Sequence, residues 1–169
     1  MHHLYYSKEE NASYPIALLV PVIRKDEIQR AYIEPHGIDP EDVLVLDLHY
    51  SQTTKKTPMK EMREYIEIVL APLLKEAGTK IVICADSEYF KALTHAAKTE
   101  VNLGYAMDCE YGDFKVVYAP NYRQMFYDPE KVKAKIKQGM DTVKDLMNGH
   151  YHEPGQGIIH FAEYPQTTA

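Results

Sequence analysis

The 169-residue chain has no tryptophan, two cysteines and no excess of positive charge. Cys84 and Cys109 have no metal-type spacing between them, which argues against a zinc site or a disulfide scaffold and for reduced thiols inside a protein of the cytoplasm. No apolar run reaches the roughly 18–20 residues that cross a bilayer. The start, Met1-His2-His3-Leu4-Tyr5-Tyr6, lacks the basic and apolar regions of a secretory signal. The expectation is a cytoplasmic protein without membrane contact. The formal net charge is -6. A protein that coats duplex DNA non-specifically is normally basic, so any nucleic-acid contact must come from a local patch.

What is present is ordinary for a globular domain: 45% apolar and 26% charged residues, with 14 Tyr and 4 Phe. A domain of this length buries roughly two-thirds of the surface of its unfolded chain, enough for one real core. Three organisational segments are expected: an N-terminal tail at 1–14, one α/β domain at 15–149 and a C-terminal tail or connector at 150–169.

Four short apolar runs read as strands buried on both faces: Ile16–Val20, Val43–Leu48, Lys80–Cys84 and the run from Phe114 to Ala119. Helical patterns lie between them. The first runs from Arg24 to Glu34 and stops at Pro35 and Gly37. The second begins at Thr57-Pro58, carries Met59, Met62, Ile66, Val69, Leu70 and Leu73 on one stripe, and ends at Gly78. Pro72 is expected to kink its last turn. A third is capped by Asp86-Ser87 and predicted to reach about Lys98. Tyr105–Tyr111 and Phe114–Ala119 flank Gly112-Asp113 as a hairpin. A last helix starts at Asp128-Pro129, with Val132, Ile136, Met140, Val143 and Met147 as its apolar side, and Gly149 ends it. This alternation predicts a three-layer α/β sandwich with a central, mostly parallel four-stranded sheet.

Ligands of such sheets bind beyond the carboxyl ends of the strands. The residues there are Pro21, Asp47, Asp86 with Ser87, and the segment Pro120-Asn121-Tyr122-Arg123-Gln124. Pro21-Val22-Ile23-Arg24 has no glycine to cradle a phosphate. Asp47 can serve as a base, an acceptor or a loop cap, and a hard-metal site of Asp47, His49 and Asp86 has no specific spacing to support it. Asp86 and Ser87 are explained by capping alone. The Asn121–Arg123 segment combines an amide, a phenol and a guanidinium, a set suited to a base and a phosphate. Tyr50, Tyr118 and Tyr122 fall beside strand ends as candidate stacking surfaces, whereas Tyr105 and Tyr111 fit packing. Lys131, Lys133, Lys135, Lys137 and Lys144 make the last helix the most basic stretch; a solvated face is the default, with phosphate contact through Lys133 and Lys137 as the alternative. His150-Tyr151-His152-Glu153 reads as tail.

From Thr57 to Gly149 the chain resembles the uracil-DNA glycosylase superfamily. The resemblance rests on the Thr57-Pro58 helix, Lys80–Cys84 followed by Asp86-Ser87-Glu88-Tyr89-Phe90-Lys91-Ala92-Leu93, the hairpin, and Val116-Val117-Tyr118-Ala119-Pro120-Asn121-Tyr122 leading to Asp128-Pro129. It implies a parallel sheet flanked by helices with a site at the strand ends. It also implies degenerate catalysis. The Gly-rich, water-activating loop falls on Pro21–Arg24, where Asp26 is the nearest acid. The uracil-reading Asn falls on Asp47, whose carboxylate repels the carbonyl that an amide would bind. The His-Pro that stabilises the leaving base falls on Asn121-Tyr122. The iron–sulfur cysteines of some branches of the family are missing too, and no cofactor is expected.

Gly157–Thr167 resembles the connector between a glycosylase-like domain and the exonuclease part of some bacteriophage DNA polymerases. The resemblances together imply a non-catalytic, polymerase-associated module of phage DNA replication that binds single- or double-stranded DNA or a replication protein. Two alternatives stand beside it: an active DNA glycosylase with Asp47 and Asn121 as altered catalytic residues, and an unrelated nucleotide-binding α/β domain.

Overall fold

The structure, a computed structural model, describes residues 3–5 and 13–152. The connector-like segment Gly157–Thr167 lies outside them. Six strands form one sheet: β1 (His3–Tyr5), β2 (Ile16–Val20), β3 (Val43–Asp47), β4 (Ile81–Cys84), β5 (Met107–Asp108) and β6 (Lys115–Tyr118), in the order β1-β3-β2-β4-β6-β5. The inner four are mutually parallel. The two outer strands are antiparallel additions. The predicted four-stranded sheet is therefore the centre of a six-stranded one. β5 and β6 form the expected hairpin, though only Met107–Asp108 of the run Tyr105–Tyr111 is strand. β1 escaped the sequence pattern because three residues are too short to show a period, and it lies within the segment expected to be a tail, not part of the expected domain.

The alternation along the inner strands explains the three layers. Ala17, Leu19, Leu44, Leu46, Val82, Cys84 and Val116 face α2 (Met59–Tyr65), α3 (Ala71–Glu76) and α4 (Ser87–Thr94). Ile16, Leu18, Val20, Val43, Val45, Ile81, Ile83 and Val117 face α1 (Lys25–Ile28) and α5 (Pro129–Asn148). Both faces are covered by helices, which is why these strands carry no polar alternation.

The helices depart from regularity where the sequence forces it. A wide π turn at Ile66–Leu70 joins α2 to α3, and the Ala71 amide reaches back to the Ile66 carbonyl. Pro72 follows directly and cannot donate, so the expected kink is realised as a widened turn before it. A second π turn, Gln29–Ile33, continues α1 and turns into a 3-10 segment at Glu34–His36. Helix α4 stops at Thr94, short of the predicted Lys98. His95 there takes a left-handed conformation (φ 58°) while the Thr94 hydroxyl bonds the Phe90 carbonyl and accepts from the Ala96 amide. Gln138 and Thr142 of α5 bond the carbonyls of Leu103 and Gly104, fixing the helix to the loop before β5. Past Gly149 the chain still docks: the Tyr151 hydroxyl accepts the Ala106 amide at 2.9 Å.

The four parallel strands end together. The Leu48 amide bonds Val20, Ala85 bonds Leu19 and Ala119 bonds Cys84, carrying the ladder one residue beyond each strand. All four carboxyl ends thus open on one edge.

Candidate nucleic-acid interface

The strand-end residues separate into two groups on opposite faces of the sheet. On the α2–α4 face, tyrosines close the crevice. The Tyr50 hydroxyl donates to Asp86 Oδ2 at 2.6 Å, the Tyr89 hydroxyl donates to the His49 carbonyl, and Tyr65 donates to the Asp47 carbonyl at 3.2 Å. Their rings meet edge to face, Tyr50–Tyr89 at 5.9 Å and Tyr65–Tyr89 at 6.5 Å. Burial, and then the charge of Asp47, pushes the Tyr65 phenol up to about 12. Burial first, then the bond to Asp86, also raises Tyr50, so it remains a donor.

Asp86 is fully employed here. Its Oδ1 accepts the amides of Glu88 and Tyr89 at 2.8 and 3.0 Å, capping α4, while Oδ2 holds Tyr50. Ser87 is the exposed first residue of that helix. His49 turns to Glu61, with Nε2 2.7 Å from Oε2. Among the described residues no three His, Cys, Asp or Glu side chains gather as a metal site. Asp47 and Asn121 are not neighbours. Their strands, β3 and β6, stand three spacings apart, about 14 Å across the sheet. Pro21, half-buried, follows β2 between them.

On the α1–α5 face the loop after β6 is held by a buried phenol. Tyr32, in the π turn, donates to the Pro120 carbonyl at 2.5 Å and accepts the Tyr122 amide at 2.8 Å. The Tyr122 hydroxyl donates to the Val22 carbonyl at 3.1 Å, linking the loops after β2 and β6. Burial raises both phenols above their ordinary range. Asn121 Oδ1 accepts the Arg123 amide at 3.1 Å, so the candidate catalytic amide caps its own 3-10 turn, Tyr122–Phe126.

That turn, the first helical segment and α5 enclose a groove of about 1170 Å³. Its walls bring together Tyr122, Arg123, Lys133 and Lys137, four residues singled out from the sequence, and add Arg30, which was not. Four cations therefore stand against one carboxylate, Glu27. Among the described residues, only Lys137 of the four cations has an ion-pair partner, Asp141 at 2.8 Å. Of the five α5 lysines expected to form a basic strip, only Lys133 and Lys137, one turn apart, line the groove.

The expected stacking surfaces need correction. Tyr118 is 4% and Tyr122 5% exposed, so their ring faces are packed: Tyr118 against Phe90, Tyr122 edge-on to Tyr32. The aromatic rings open to solvent at the groove are instead Phe126 and Tyr127, 88% and 87% exposed. Both lie in Met125-Phe126-Tyr127, an apolar triplet between a polar loop and the Asp128-Pro129 cap. Its position outside any helical stripe was the available signal.

Comparison with known families and curated proteins returned neither a matching family model nor a matching sequence. Among the described residues no helix is long and apolar enough to cross a membrane.

Proposed function

We propose that this chain is a non-catalytic, glycosylase-like module of DNA replication that binds DNA through the groove between the first helical segment and α5. The observation that carries the reading is the set Arg30, Arg123, Lys133 and Lys137 around one groove on an otherwise acidic protein. Guanidinium and ammonium groups so placed suit backbone phosphates, which dominate affinity without specifying sequence. The mostly parallel sheet, flanked by helices and with its loops at one edge, is compatible with the resemblance to uracil-DNA glycosylases.

The non-catalytic part of the reading is supported by the identity and use of the candidate groups. Base excision needs donors preorganised around the leaving base. Asn121 commits its carbonyl oxygen to the cap of its own turn and has Nδ2 alone to donate, and Asp86 has both oxygens committed to α4 and Tyr50. Asp47 offers a carboxylate where the family reads uracil with an amide. In a polymerase-associated setting of phage replication, such a module would keep the template attached rather than repair it.

The test is fluorescence anisotropy with labelled oligonucleotides, alongside incubation with uracil-containing strands. Expected are salt-dependent binding, weakened at least tenfold by Lys133→Glu combined with Lys137→Glu, and no abasic sites. Abasic sites that vanish in Asn121→Ala or Asp47→Ala would establish the glycosylase alternative. No binding at low salt would refute the DNA reading.

A further inference from the structure

Phe126 and Tyr127 are the two most exposed large apolar side chains among the described residues. The same fold buries Tyr32, Tyr89 and Phe90 completely, so it does not lack room for aromatics. Both exposed rings line the cationic groove, beside Arg123 on the same turn and facing Lys133 and Lys137 from α5. Their centroids are 5.7 Å apart and their planes are inclined at 71°, which gives two platforms at an angle rather than one flat surface.

Resting on the DNA-binding reading above, we propose that the groove selects single-stranded over double-stranded nucleic acid, with Phe126 and Tyr127 as stacking platforms for unpaired bases. Cations around the groove call for a polyanion. Exposed π faces call for flat, unsaturated groups carried by that polyanion. A single strand offers both at once, because every base has a free face and every linkage a phosphate. A duplex offers only the phosphates, since its base faces are stacked within the helix. It also presents its charge over a long rigid surface, to a chain whose formal net charge is -6. A flexible strand confines its contact to the groove.

The inclination of the rings fits a strand whose successive bases turn away from one another. Arg123 and Phe126 line the same groove, so a phosphate on the guanidinium and a base on the ring can belong to one strand. Glu27 is the one carboxylate of the lining and repels phosphate, while Arg30, three residues on, attracts it.

The experiment compares a fluorescein-labelled oligothymidine of about 15 nucleotides with a duplex of equal length, at several salt concentrations. The wild type is expected to prefer the single strand at least tenfold. The logarithmic salt slope on the single strand should be roughly -2 to -3, as three to four neutralised phosphates require. Phe126→Ala with Tyr127→Ala should lower single-strand affinity about tenfold or more and leave duplex affinity and the salt slope unchanged. Circular dichroism checks the fold of this variant, whose substituted side chains are almost wholly exposed.

Because the chain has no tryptophan, Phe126→Trp places a single reporter on the proposed platform. Its fluorescence should be quenched by the oligothymidine and not by inorganic phosphate. Equal affinity for both DNA forms, unchanged by the alanine substitutions, would overturn the stacking platform while leaving the groove as a phosphate contact. Binding of neither form at low salt would overturn both readings. A Trp signal unmoved by a strand that binds would overturn the stacking alone.

Discussion

Tyr32 and Tyr122 are joined through a single oxygen: the Tyr32 hydroxyl accepts the Tyr122 amide while donating to the carbonyl of Pro120, two residues earlier. The rings also meet edge to face at 6.2 Å, near perpendicular. One buried phenol therefore sets the path of the chain as it leaves β6. That path decides where Arg123 and the exposed aromatic pair stand.

Tyr32→Phe keeps the ring and removes this oxygen, leaving a buried amide and a buried carbonyl without partners. The expected loss is about 1–3 kcal/mol of stability, together with a several-fold loss of DNA affinity as the loop loosens. Tyr50→Phe is the control. It deletes one hydrogen bond on the opposite face of the sheet and should lower stability without changing DNA affinity. Denaturant unfolding and anisotropy on both variants check the contrast. Equal DNA affinity in Tyr32→Phe and wild type would deny the loop its role.

Helix α5 reaches the sheet at Gly139. A Cβ placed there would lie 2.7 Å from the Tyr118 carbonyl oxygen and 3.2 Å from the Ala119 Cβ. In a free helix, Gly→Ala would stabilise by about 1 kcal/mol. Here the obstacle is strand backbone, which cannot swing aside, so Gly139→Ala is expected to destabilise by about 1–3 kcal/mol through overpacking. A rise in melting temperature would refute the close approach. The same shift of α5 would carry Lys133 and Lys137 outward, so weaker DNA binding should accompany the lost stability.

The buried frame was legible in the sequence because its determinants are local. Ile16–Val20 and Ile81–Cys84 are apolar at every position, as strands covered on both faces must be. Asp128-Pro129 and Gly149 delimit α5 where the cap, the proline and the left-handed glycine (φ 73°) require. The groove was only half legible, because its walls come from distant parts of the chain. Arg30 joins Arg123 only once α1 and α5 share a face of the sheet. The alternating lysines suggested a strip, but about 100° per residue spreads them around the helix. Phe126 and Tyr127 carry one local signal, a place outside any helical stripe, but that signal does not say on which side the turn leaves them.

Asp86 bears on whether the crevice is catalytic or structural. It satisfies two helix-terminal amides and one phenol, so Asp86→Ala should cost about 1–3 kcal/mol, combining a lost cap with a lost charged acceptor. Asp86→Asn retains an oxygen for the amides and should recover most of that loss. DNA affinity should follow wild type in both, since Asp86 lies on the face away from the groove. A large fall in DNA affinity with stability unchanged would mean that the crevice takes part in binding.

His36 makes the groove wall sensitive to acid. It is 9% exposed, and its Nε2 lies 2.9 Å from the Ala31 carbonyl. Burial lowers its pKa; the carbonyl and Asp141 oppose that shift, while Lys144 and Lys137 reinforce it. The unfolded chain, with an ordinary imidazole near 6.5, then binds more protons than the folded one between the lowered folded value and that ordinary value. Stability therefore rises with pH across this window and is lost as pH falls through it. His36→Gln, which cannot take up a proton there, should flatten the change in melting temperature between pH 7 and pH 5. Differential scanning calorimetry on the two proteins decides it: identical pH profiles would remove His36 as the source. Protonation would also add a cation to the wall. Single-strand affinity measured at constant ionic strength should therefore strengthen as the pH falls through the same window, and less so in His36→Gln.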